Sequence, residues 1–317
     1  MRLVIPAALV LPLLLACGKV STEGGAADAS GGGSGGQADS GSGDTPDAAR
    51  PDPDGATPPP ACAWSPPDTG PFDMLNGTGS IESAALSGDE LLLFYAFLGA
   101  GDVVDIFDAG REALDQPFGG ARLVEELVDP DFESELEIGG NADEILFVRA
   151  NALDIWRAGR VVAGGPFATP VTTGILGRSP SVSRDGLHLY FIDRDVPQVM
   201  RADRPTVDDA FGAPSPVGAQ GVYRWIDVSS DELHLLMSGG AGTPDDSTVA
   251  IASRASVDEP FGAPVSAGAA FVPGPVFTDF EEASWNSDDT EILITGVAPS
   301  TQRVVALSTC LSATTGP

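Results

Sequence analysis

Three carboxylates, Glu82, Asp227 and Glu282, stand in short apolar runs of similar character, and a pair of such groups is what general acid and base work requires. Held about 5 to 9 Å apart, two carboxylates can cleave a glycosidic bond, one protonating the leaving oxygen and the other serving as nucleophile or base. Arg178, Arg224, Trp225 and Trp285 occupy the same kind of run and could bind a polar, hydroxyl-rich ligand. The bland reading of all these groups is mutual charge satisfaction around a water-filled channel. It is favoured here because acidic residues are common along the whole chain. Beyond residue 61 there is no GxSxG, HExxH or phosphate-binding glycine loop, so nucleophilic, zinc-peptidase and nucleotide chemistry lack a carrier. The two histidines, His188 and His234, sit at equivalent positions of separate repeats with no further His or Cys beside them, and no metal site is expected. Asp89, Asp143, Asp185, Asp231 and Asp288 recur at turns and are expected to cap them; no DxDxDG calcium loop is present. No cofactor is expected.

The elements that must position these residues repeat. An Arg is followed seven residues later by a Phe at Arg111/Phe118, Arg160/Phe167, Arg204/Phe211 and Arg254/Phe261. A period of about 45 to 50 residues with strand-like runs between the pairs predicts an all-β propeller, one blade per repeat. The third repeat is the clearest. It reads SPSVS, the turn RDG, LHLYFID, a loop, QVMRADR and PTVDDAFGAPSPV, which we label strands A to D. Leu187, Leu189 and Phe191 alternate in strand B, as a sheet packed between neighbours requires. The fifth repeat ends after strand C. Pro71-Phe72-Asp73-Met74 imitates the start of strand D, so the amino-terminal segment near Phe72 is expected to close a five-bladed ring spanning 61–317. Cys62 and Cys310 fall at that junction, and a disulfide between them would stabilise by about 5 kcal/mol on the chain-entropy model. Asp115, Asp208 and Asp258, three residues before the Phe, are expected to pair with the repeated Arg while the Phe fills the space between blades. Gly164 at that place leaves Arg160 the least restrained.

Arg2 and the apolar stretch Leu3 to Leu15 read as a targeting segment too short to span a bilayer. Its end, Leu14-Leu15-Ala16-Cys17, resembles the lipobox of bacterial lipoproteins; the alternative is an ordinary signal peptide whose cleavage site contains a Cys. The resemblance implies a signal peptide over 1–16, lipidation of Cys17 and, with Gly18 next, sorting to the outer membrane or cell surface. Residues 17–60 are Gly, Ser, Asp, Ala and Pro, a composition expected to remain a disordered tether. With 46 acidic against 16 basic residues and a net charge of −30, the chain is not suited to nucleic acid or anionic lipid surfaces, and the membrane is expected to be reached through the anchor alone. The stretches SVSRDGLHLYF, DVSSDELHLLM and SWNSDDTEILI resemble the TolB-type, WD-like propeller repeat. That resemblance implies an extracytoplasmic propeller without fixing its activity. The expectation is a monomeric, non-catalytic binding or scaffold module for a protein or polysaccharide of the cell envelope. A hydrolase using the carboxylates named above is the alternative. The variable loop Gly239 to Asp246, ending in Asp245 and Asp246, is the expected carrier of recognition.

Overall fold

The computed structural model describes residues 62–312 apart from 100–102, 129–132, 140–141, 150–152, 161, 163, 220–222, 240–248, 272–273 and 301. The targeting segment, Cys17, the tether, Asp245 and Asp246 lie outside the described residues. Nineteen strands run through the rest, almost all in antiparallel sheets. β1 (Cys62–Trp64) comes first, then the sheet of β2 (Ser80–Leu86), β3 (Leu92–Leu98), β4 (Val104–Gly110) and β5 (Gly119–Leu123). β6 (Glu133–Ile138), β7 (Glu144–Arg149), β8 (Asp154–Gly159) and the long β9 (Val171–Val182) continue into β10 (His188–Asp193), β11 (Val199–Asp203) and β12 (Ser215–Pro216) as one seven-stranded sheet. β9 serves two repeats, because its first half pairs with β8 and its second with β10. β13 (Trp225–Val228), β14 (His234–Ser238), β15 (Ala250–Ser253) and β16 (Val265–Ser266) form the next sheet. The last combines β17 (Asp279–Trp285), β18 (Glu291–Val297) and β19 (Arg303–Ser312) with β1.

Central strands are buried on both faces, which is why Leu189 to Ile192 form an unbroken buried run. The core lies between successive sheets. Phe94, Ile106, Phe147 and Phe167 fill one interlayer, and Tyr190, Leu235, Met237 and Phe261 another. The repeated Phe side chains are buried in these layers as expected.

The repeated Arg is buried or half-buried too, but its partner differs from the expectation. Asp115, Asp208 and Asp258 are exposed. Instead, the Nε–H of Arg111, Arg160, Arg204 and Arg254 donates to the carbonyl of Glu90, Ala142, Gly186 and Glu232 at 2.7, 2.6, 2.6 and 2.7 Å. Each guanidinium also lies 4.1 to 4.5 Å from the centre of its own Phe ring. The Arg therefore clamps the A-to-B turn of its repeat onto the C-to-D turn. A carbonyl exists in every repeat whatever the side chain, so Arg160 is held like the others despite Gly164.

The amino-terminal junction also differs in detail. The disulfide joins Cys62 to Cys310 with 5.3 Å between Cα atoms, and β1 pairs with the end of β19. The strand is Cys62–Trp64, supplemented by a bridge from Asp68 to Leu307, and not the segment near Phe72. Pro66, Pro67 and Pro71 lack the N–H that a ladder needs. Residues Gly70–Phe72 instead form a 3₁₀ turn that stacks Phe72 on Phe118, centroids 5.4 Å apart.

Candidate functional site

The site is built on the inner strands β2, β6, β9, β13 and β17. Each ends in a turn whose first residue is Ser87, Gly139, Ser183, Ser229 or Asn286. In three of these turns the Ser hydroxyl donates to the Asp two residues on, at 2.6 to 2.7 Å, and that Asp accepts a further backbone N–H. Asp89, Asp185 and Asp231 thus cap their turns as expected; Asp288 accepts the Thr290 N–H at 3.1 Å in the same way. Their carboxyls lie below the usual range, with these hydrogen bonds favouring the charged form. Asp143 does not cap a turn. The Gly139 N–H bonds to the Glu144 carbonyl as the Ser87 N–H does to Leu92, which places Asp143 past the turn.

That two-residue offset hides a residue the sequence reading missed. Counted from the turn, Glu137 stands at the same place as Asp227, and Glu135 at the same place as Glu282. β-bulges in β2, β6, β9 and β17 break the pairing register; Glu135 and Glu282 lie inside two of them and Glu137 just after one, whereas β13 with Asp227 pairs regularly. A bulge re-aims the side chains that follow it.

Four carboxyl groups meet the neighbouring inner strands. Asp227 accepts from Ser181 Oγ and from the Trp285 backbone N–H, both at 2.6 Å. Glu282 accepts from the Ala84 N–H at 3.2 Å, Glu137 from the Val182 N–H at 3.4 Å, and Glu135 from the Ser179 N–H. Ser83 Oγ and Ser179 Oγ accept from Leu136 and Ile226 at 2.8 and 2.7 Å. Burial removes the water that would stabilise their charges. It pushes Glu282 up to about 8 and Asp227 up to about 7. Burial, with the Asp227 charge added, raises Glu137 well above the ordinary carboxylate value, and burial raises Glu135 as well.

A cavity of about 570 Å³ opens at the turn end of these strands, with Glu137, Asp227, Ser284, Trp285, Arg160 and Arg184 in its lining. Among the described residues the buried indole N–H of Trp285 has no acceptor, and its ring lies 5.9 Å from Trp64. Glu82, Glu282, Arg178, Arg224 and Trp225 are absent from this lining. Glu82 and Glu281 are drawn together by Arg303, at 2.9 and 2.5 Å, and Glu82 is raised by burial against the pull of that Arg. Trp225 is half-buried under Gly239, where a Cβ would meet its ring at 2.3 Å. Arg224 is exposed, and Arg178 lies near enough to Glu135 to lower that carboxyl. The structure therefore groups Asp227 and Trp285 with the cavity and leaves the other candidates elsewhere on the inner strands.

No family model matches the chain, and no curated protein matches it. Among solved structures it is similar to the catalytic domain of a GH62 alpha-L-arabinofuranosidase from Coprinopsis cinerea, with a TM-score of 0.59 at 11% identity over 80% of this chain and 99% of that one. It is also similar to an alpha-L-arabinofuranosidase from Podospora anserina solved with cellotriose, with a TM-score of 0.54 at 10% identity over 78% and 96% of the two chains. TolB from Acinetobacter baumannii matches at a TM-score of 0.46 and 12% identity over 72% of this chain and 54% of that one. At such identities the likeness concerns the fold, an all-β module of propeller type.

Proposed function

We propose that residues 61–317 form a five-bladed propeller closed by β1, tethered through a lipidated Cys17 in the cell envelope, and that this module binds a glycan or protein without catalysis. Ring closure is supported by the hydrogen bonds that link β2 to β6, β6 to β9, β9 to β13, β13 to β17 and β17 back to β2. The non-catalytic reading rests on the use of the carboxylates. Both oxygens of Asp227 already hold adjacent strands, and Glu282 holds β2, so neither is free to follow a substrate. A cavity of about 570 Å³ is of the size that small-ligand sites take. A glycan array combined with a hydrolysis screen tests this: binding without turnover is expected. Turnover that disappears in Asp227→Asn or Glu137→Gln would overturn it.

One observation favours a glycoside hydrolase as the second reading. Glu137 and Asp227 both line the cavity, and a carboxyl whose pKa burial raises toward neutrality is what a general acid needs. The anchor is tested separately, since Cys17→Ser should release the protein from the membrane fraction.

A further inference from the structure

A second cavity, of about 450 Å³, lies beside the first, and the two residues that line both are Arg160 and Arg184. We infer that this junction binds the carboxylate of an acidic sugar, with Arg184 as the anchoring residue and Arg160 as a second fixed positive charge. The inference rests on reading the first cavity as a glycan site.

Arg184 is the second residue of its A-to-B turn, where the corresponding residues are Gly88, Ser230 and Ser287. Ser230 and Ser287 are tied to Asp289 and Glu90 of the following repeat. Arg184 is exposed and, among the described residues, has neither a hydrogen bond nor an ion pair. An arginine fork left without an acceptor beside a cavity matches a carboxylate in shape and charge. The side-chain bonds of Arg160 go to the carbonyl oxygens of Ala142 and Gly165, while the carboxylates of Asp108 and Asp143 act on its charge from farther off. Its ring partner Phe167, 4.1 Å away, fixes where that charge sits. Arg157 and Arg204, in the second cavity, share the single carboxylate of Glu144 at 3.1 and 2.6 Å. The second cavity thus carries four Arg against four acidic residues, on a chain whose net charge is −30. Local neutrality on so acidic a molecule is where an anion meets least repulsion. Burial also weakens the negative charge on the floor of the first cavity, raising Asp227 to about 7 and, with the Asp227 charge added, Glu137 above the ordinary carboxylate value.

Calorimetry on the chain carrying Cys17→Ser tests the inference with trigalacturonate, xylotriose, citrate and inorganic phosphate as separate titrants. Trigalacturonate should bind, and Arg184→Gln should weaken it about tenfold, the loss of one charge-assisted contact. Arg122→Gln, which removes an exposed Arg outside both cavity linings, should leave binding unchanged. Trigalacturonate binding that is indifferent to Arg184→Gln would overturn the proposal. Equal binding of xylotriose and trigalacturonate would also overturn it while leaving the glycan reading in place. Citrate or phosphate binding as tightly as trigalacturonate would reduce the site to one for simple anions. Binding of none of the four would sink both readings.

Discussion

The A-to-B turns of the first, fourth and fifth repeats differ from those of the second and third in one position. Glu90, Glu232 and Asp289 hold the left-handed backbone, with φ of 58°, 59° and 60°, where a glycine would be unstrained. Each spends its carboxylate on the preceding repeat. Glu90 accepts from Asn286 and Ser287, Asp289 from the backbone and hydroxyl of Ser230, and Glu232 from Tyr190 with His188 beside it. The matching residues of the second and third repeats are Ala142 and Gly186, which have no carboxylate to extend. In these three turns a bond between sheets offsets a backbone strain of about 1 kcal/mol, whereas Ala142 carries the same strain without one. Where no such bond is made, between the second and third repeats, the 450 Å³ cavity opens and Arg204 reaches Glu144 instead. One side of the molecule is stapled, and the other is left open to solvent.

The strongest way to test the stapled side is to cut its covalent link. Cys62→Ser with Cys310→Ser should lower Tm by about 10 °C, from a loss of about 2 to 5 kcal/mol. A loss under about 2 °C by calorimetry would mean that the hydrogen bonds of β1 suffice.

The carboxyl hub gives the next largest effect, through pH. Asp227 and Glu282 titrate near 7 and 8 in the folded chain and in the ordinary carboxylate range when unfolded. Between those limits the folded state holds protons that the unfolded state has released. Their contribution is therefore complete below about pH 4 and declines until pH passes the folded values. The turn carboxylates Asp89, Asp185, Asp231 and Asp288 act oppositely, losing their contribution as pH falls below the ordinary range. Tm should thus fall between pH 5 and pH 8, and Glu282→Gln should flatten that slope. A Tm that rises over the same interval would contradict the direction of these shifts.

Arg254→Ala should cost about 2 to 3 kcal/mol, because it removes the bond to Glu232, the contact with Tyr190 and the stacking on Phe261. Urea unfolding measures this; a change below about 0.5 kcal/mol would deny the clamp. The smallest pair sharpens the comparison directly. Asp289→Gly relieves strain but loses its bonds to Ser230, and should destabilise by about 1 kcal/mol net. Ala142→Gly relieves the same backbone strain, φ 54°, with no bond to lose, and should be neutral or stabilise by up to about 1 kcal/mol. Like signs for the two in parallel melts would remove the distinction between the sides.

Much of the fold was legible in the residues. The Arg-to-Phe spacing marked four turns, and the Phe does lie between sheets. The Asp-capped turns at 89, 185, 231 and 288 follow the local pattern, since an Asp two residues after a Ser or Asn bonds within its own turn. Asp143 misled for the same local reason. Its repeat has Gly139 at the first position, so the turn lacks its Ser and a count from Asp143 runs two residues too far along. Glu137 was lost with it.

By itself the sequence determined the strands, the period, the Arg and Phe as a fixed unit and the partnership of Cys62 with Cys310, because each depends on local pattern or on a junction the period defines. Tertiary structure alone decided which carboxyls meet which strands, that the repeated Arg takes a carbonyl and not an Asp, and that β1 rather than the segment at Phe72 completes the last sheet. Those contacts join residues from about 20 to nearly 250 apart, and the ones made by the carboxyls of β6 and β17 follow bulges that shift the register. Spacing along the chain does not carry that shift, since one inserted residue sends every later side chain to the opposite face.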